Sequence, residues 1–140
     1  MENVFLIGRI VFAIMFLGSG MGHLMKTEDS AAYAESKGLS NSTLMVQISG
    51  VAFLAGGIGI ALGIFTDLAF LLTGVLVMII AVMLHPFWSM EGEEQAAEMP
   101  NFMKNLTIFG GCLMGFAFYA GLGFDDAKQL VGPIFEFDWR

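Results

Sequence analysis

Residues 68–90 read LAFLLTGVLVMIIAVMLHPFWSM, a run of apolar and small side chains without one formal charge. A helix rises about 1.5 Å per residue and bilayer hydrocarbon is about 30 Å thick, so roughly 20 such residues cross it. The stretch is long enough, and it carries its own stop. Pro86 pushes the residue before it out of helical geometry, so a helix starting near Leu68 ends at or before His85.

Three further stretches, residues 10–25, 38–65 and 105–124, also lack charge. The first reaches spanning length only if it begins near Asn3 and takes Arg9 into the helix. The expected crossings are therefore 3–25, 44–65, 68–88 and 105–123. Thr66-Asp67 leaves room for no more than a tight turn, so the second and third crossings form an antiparallel hairpin. In the connection 26–43, Asp29 and Ser30 precede Ala31-Ala32-Tyr33-Ala34-Glu35 and then Gly38. That order reads as a cap, a short helix and a glycine stop. The connection before the fourth crossing holds Glu91, Glu93, Glu94, Glu98 and Pro100. The expected fold class is all-α: one domain over 1–140, an integral membrane four-helix antiparallel bundle with short interfacial helices in its connections.

Composition agrees. Of 140 residues, 56% are hydrophobic and only 14% charged, with a mean hydropathy of +0.75. Soluble domains carry about 25% charged residues. The net charge of −7 resides in the polar connections, four glutamates in one of them, and reads as a solvated loop face. Nucleic acid is excluded as a partner, and the lipid bilayer is the first partner expected. No basic residue precedes the first apolar stretch and Arg9 interrupts it, which argues against a cleaved signal. The lone Cys112 has no internal disulfide partner and reads as a small buried hydrophobe. Glycine and alanine recur at four-residue spacing in Gly18 and Gly22, in Ala55, Gly59 and Gly63, and in Gly111 and Gly115. In lipid such spacing lets helix backbones approach closely, within one chain or between copies in a homo-oligomer.

The chain has two histidines, His23 and His85, each near the C-terminal end of an apolar stretch. Antiparallel crossings bring the ends of the first and third beside the starts of the second and fourth. Both imidazoles then share one membrane face with Gln47, Asn101 and Asn105, under the connections that carry Tyr33, Glu35 and the glutamates. Imidazole donates and accepts hydrogen bonds near neutral pH, which suits holding the oxygens of a quinone or passing a proton to the acidic connection. It equally suits capping a helix end. Phe87 and Trp88 read as interfacial anchors or as a flat cover for a ring. No ligand pair stands at helical i, i+4 spacing, so no metal centre is expected. Arg9 lies about 21 Å from His23 along a straight helix. It belongs to the other half of the bundle, where Asp67 and Asp125 are candidate ion-pair partners that would lock the fold.

Several of these residues together resemble the DoxX family. They are Gly8-Arg9, the run from Phe16 to His23, Tyr33-Ala34 through Gly38, Gly56-Gly57 and His85-Pro86-Phe87-Trp88. Phe102-Met103-Lys104-Asn105-Leu106, Gly110-Gly111 and Gly121-Leu122-Gly123 continue the likeness. The resemblance implies a small four-helix, multi-pass protein of the bacterial inner membrane. It includes relatives of a thiosulfate:quinone oxidoreductase subunit and proteins associated with redox or thiol stress. The family pattern covers Arg9, His23, His85 and Asn105 without giving them a reaction, and the chain has no separate cofactor domain for independent catalysis. The leading expectation is a redox-associated subunit that binds quinone or a redox protein partner. His23 and His85 would then exchange hydrogen bonds and protons, Gln47 and Asn105 orient the ligand, and Phe87 or Trp88 cover its ring. A non-enzymatic scaffold recruiting a partner through its acidic loops, and a small-lipophile binding protein, are the alternatives.

Overall fold

The computed structural model describes residues 2–122 and 129–135. It is helical: α1 (Glu2–Met25), α2 (Thr27–Ser36), α3 (Ser42–Leu62), α4 (Thr66–Leu84), a 3-10 turn at Phe87–Ser89, and α5 (Gly92–Leu122). Among the described residues, three helical segments are long and apolar enough to cross a membrane: Asn3–Met25, Ser42–Leu62 and Thr66–Ser89. Arg9 lies within the first, as its length demanded.

The boundaries follow local chemistry. The fourth helix stops at Leu84, one residue before the His85 that Pro86 excludes from helical geometry. The second begins earlier than its cap-like residues suggest, because Lys26 alone breaks the path from α1. Asp29 and Ser30 therefore lie inside α2. Thr27 Oγ1 donates to the carbonyls of His23 at 2.8 Å and Leu24 at 3.1 Å, satisfying acceptors that the end of α1 leaves open. Gly38, at φ +86°, makes the expected stop. Its N–H donates to Glu35 O at 2.8 Å and that of Leu39 to Ala34 O at 3.1 Å, the Schellman pattern.

Two expected boundaries shift. The α3–α4 turn is Gly63-Ile64-Phe65, while Thr66 and Asp67 open α4 and are fully buried. Helix α5 starts at Gly92, well upstream of the expected 105, and runs through Pro100. Glu93, Glu94, Gln95, Ala96, Ala97 and Glu98 are adequate helix formers, and tertiary bonds from Lys37 and His85 to Glu98 offset the N–H that Pro100 lacks.

Packing pairs α1 with α3 and α4 with α5, and α3 against α4 joins the pairs. Helices α1 and α5 meet through rings, with Phe5 stacked on Phe118 at 4.4 Å. Phe16, Phe53, Ile60, Phe70, Val77, Cys112 and Tyr119 form the core. Backbones approach closely at Gly20, where an added Cβ would lie 2.7 Å from Gly50 O. Gly18 and Gly22, the pair at four-residue spacing, face open space instead. The interface uses the glycine between them.

At the end of the bundle away from the histidines, the segment after α5 returns to the α3–α4 turn. Leu130 and Val131 donate their N–H groups to Gly63 O at 2.7 and 3.0 Å. Asp67 Oδ2 accepts from the backbone N–H of Ile134 at 2.8 Å and Phe135 at 2.7 Å. Arg9 is buried here, and a Cβ on Gly63 would lie 3.0 Å from its Nη1. Asp67 thus pins the returning backbone. Asp125 lies outside the described residues.

Candidate functional site

Antiparallel packing gathers the C-terminal ends of α1 and α4, the start of α3 and the middle of α5 around a cavity of about 750 Å³. Helix α2 contributes Tyr33 and Ala34 to its wall. The deep part is apolar, with Phe16, Phe53, Leu76, Val77 and Ile80. Polar side chains on the wall include His23 and His85 at the ends of α1 and α4, Ser49 of α3, and Lys104 and Asn105 of α5. The volume falls within the roughly 300–1,000 Å³ of small-molecule sites, which are also mostly apolar with a few placed polar groups.

Each histidine is held through Nδ1. In α1, His23 Nδ1 lies 2.7 Å from Ser49 Oγ, and the His23 ring meets Phe53 edge-on at 5.7 Å. Ser49 is buried, and its hydroxyl donates to Val46 O at 2.8 Å. At the end of α4, His85 Nδ1 lies 2.7 Å from Glu98 Oε2. Glu98 Oε1 accepts from Lys37 Nζ at 2.7 Å, and Asn101 Nδ2 approaches Oε2 at 3.4 Å. Lys37 also lies 5.8 Å from the centre of the Tyr33 ring, and the Tyr33 and His85 rings are 6.5 Å apart.

This cluster ties α2, α4 and α5 together over the polar part of the cavity. The bond from Lys37, then that from His85, hold the Glu98 carboxyl down to about 2, so it is an ionised acceptor. Its bond with Glu98 pushes the Lys37 ammonium up, and burial followed by the Glu98 charge raises the Tyr33 phenol.

The expected site residues therefore separate. His23, His85 and Asn105 come together around the cavity. Gln47 is exposed on α3 and does not line it, because Val46 and Ser49 carry the inward phase of that helix. Phe87 and Trp88 lie beside the cavity and outside its lining. They pack with Phe102, at ring separations of 5.4 Å from Phe87 and 5.3 Å from Trp88. The glutamate connection is not uniformly solvated. Glu91 and Glu93 are exposed, whereas Glu98 is buried in the cluster. Among the described residues no three His, Cys, Asp or Glu side chains gather as a metal site.

Sequence reasoning missed Ser49, Lys37 and Glu98. One signal for Glu98 was present: Glu94, Glu98, Asn101 and Asn105 follow helical spacing and share a face once α5 extends upstream.

Two inner membrane proteins of Escherichia coli (strain K12) are similar over 109 residues, 78% of this chain and 78% of each relative: YphA at 31% identity and YqjF at 30%. No solved structure gives a significant match. The DoxX family model matches residues 4–86, from the first helix through the His85-Pro86 stop, and so takes in both histidines and the serine beneath His23. By that match and by its inner-membrane relatives, the chain belongs to the DoxX family.

Proposed function

We propose that this chain is a multi-pass protein of the bacterial inner membrane, with α5 as its fourth crossing, that binds a ring-bearing amphiphile of the quinone class. The observation that carries this reading is the cavity itself. It is apolar where Phe16, Phe53 and Val77 line it and polar where His23, His85 and Asn105 do, the division that a lipophilic tail and an oxygen-bearing ring require. The two imidazoles offer hydrogen-bonding groups to the polar end of the ring and Asn105 a third polar contact. His85 continues through Glu98 to Lys37, which gives the ring end a route for charge toward the surface. In this reading the chain is a redox-associated membrane subunit that presents its ligand to a partner protein. Exposed Glu91 and Glu93, close to the 3-10 turn at Phe87–Ser89, offer a docking edge for that partner.

Mass analysis of small molecules retained after gentle extraction from quinone-replete membranes tests the reading. Wild type retains a quinone-class molecule, and the double variant His23→Ala with His85→Ala loses it. Wild type that carries phospholipid alone would refute the proposal.

A further inference from the structure

The hydrogen bonds around the two histidines assign their tautomers, and the tautomers select a ligand chemistry. A serine hydroxyl has one hydrogen. Ser49 uses it on Val46 O at 2.8 Å, so its oxygen meets His23 Nδ1 as an acceptor and Nδ1 carries the proton. At the other ring the partner is the ionised Glu98 carboxylate, which only accepts, so His85 Nδ1 also carries a proton.

In a neutral imidazole with Nδ1 protonated, Nε2 is a lone-pair acceptor. Neither Nε2 has a hydrogen-bond partner among the described residues, and neither is among the buried polar atoms left unsatisfied. Both rings line the cavity. It therefore holds an accessible acceptor at His23 Nε2, held in that state by Ser49 of α3, beside the His85 ring that Glu98 orients from α5.

We propose that the cavity selects an aromatic amphiphile bearing hydroxyl donors, the hydroquinone or phenol form, over the carbonyl form of the same ring. A quinone carbonyl only accepts, and faces an acceptor at His23, whereas a hydroquinone hydroxyl donates to its Nε2. The inference rests on the binding role proposed above and specifies its polarity. Ser49 and Glu98 are positioning residues: each acts on the ligand through the histidine it orients.

The test is a binding titration of the detergent-solubilised full chain with a short-chain benzoquinone, its hydroquinone under anaerobic conditions, and the hydroquinone dimethyl ether. The hydroquinone binds about tenfold more tightly than the quinone or the ether, as one well-made hydrogen bond warrants. Ser49→Ala frees the His23 tautomer and brings hydroquinone and quinone affinities toward parity. Nitrogen NMR of histidine-labelled protein shows both rings protonated at Nδ1 in wild type, with His23 shifting toward the other tautomer in Ser49→Ala. Equal or tighter quinone binding that still depends on His23 and His85 overturns the selectivity while leaving the binding role intact. Histidine-independent binding of all three compounds, or binding of none, overturns both.

Discussion

His85 Nδ1 and Glu98 Oε2 lie 2.7 Å apart, joining the end of α4 to the first turns of α5 across the polar part of the cavity. Lys37 completes the contact from α2, so one carboxylate fastens three helices. The side chains of Glu98 and Lys37 are 11% and 16% exposed, which places this ion pair among the partly buried ones that salt screens much less than solvated pairs. Removing the carboxylate in Glu98→Ala costs about 1.5–3 kcal/mol, the range for hydrogen bonds to charged groups. Thermal denaturation in detergent measures it. A Glu98→Ala melting temperature equal to wild type would show that the three helices hold without it.

The same carboxylate predicts an acid limit. Its ordinary value is 4.5 and the folded protein holds it at about 2, so folding favours the ionised form. That stabilisation is whole above about pH 4.5, declines as the pH falls below it, and is gone near pH 2. The stability gap between wild type and Glu98→Gln should follow this course in a pH series of melts. A gap that widened on acidification would contradict the assignment.

Gly20 and Gly18 separate packing from spacing. A Cβ on Gly20 meets Gly50 O at 2.7 Å and Leu54 N at 2.9 Å, both backbone atoms that yield only if α1 and α3 move apart. Gly20→Ala should therefore destabilise by about 1–3 kcal/mol, the usual cost of overpacking. Gly18 has open space around it, so Gly18→Ala should be neutral or stabilising by up to about 1 kcal/mol through helix propensity. Denaturation of the two variants in one detergent compares them. Equal losses would mean that the Gly18 face is covered by another copy of the chain.

Asp67 is fully buried and anchors the segment that follows α5. In Asp67→Ala both backbone donors lose their acceptor, and residues 129–135 should detach while the helices persist. Hydrogen exchange at Ile134 and Phe135 should rise by at least tenfold, with little change in α3. Asp67→Asn keeps one oxygen and should fall between the two. Unchanged exchange in Asp67→Ala would assign the hold on this segment to its contacts with Gly63, Phe65 and Phe116.

These features differed in how far the sequence disclosed them. Pro86 marked the end of α4 because a proline acts on its immediate neighbour, and Gly38 ended α2 for an equally local reason. Antiparallel counting brought His23, His85 and Asn105 to one end because it needs only span lengths. The phase of α3 was not legible: Gln47 and Ser49 are both polar residues near a helix start, and only packing turns Ser49 toward His23. Nor was Glu98. Pro100 and three neighbouring glutamates give its segment the composition of a loop, and the partners that make it helical, Lys37 and His85, are 61 and 13 residues away.

The most direct measurement of the central claim is photolabelling of membranes with an azido-quinone, reduced or oxidised, followed by peptide mapping. The account predicts adducts on the cavity walls, around His23, Ser49, Leu76 and Asn105, which excess unlabelled hydroquinone competes away and His23→Ala with His85→Ala diminishes. Labelling spread over lipid-facing positions such as Val4, Ile7 and Val11, indifferent to competitor and to both histidines, would contradict it.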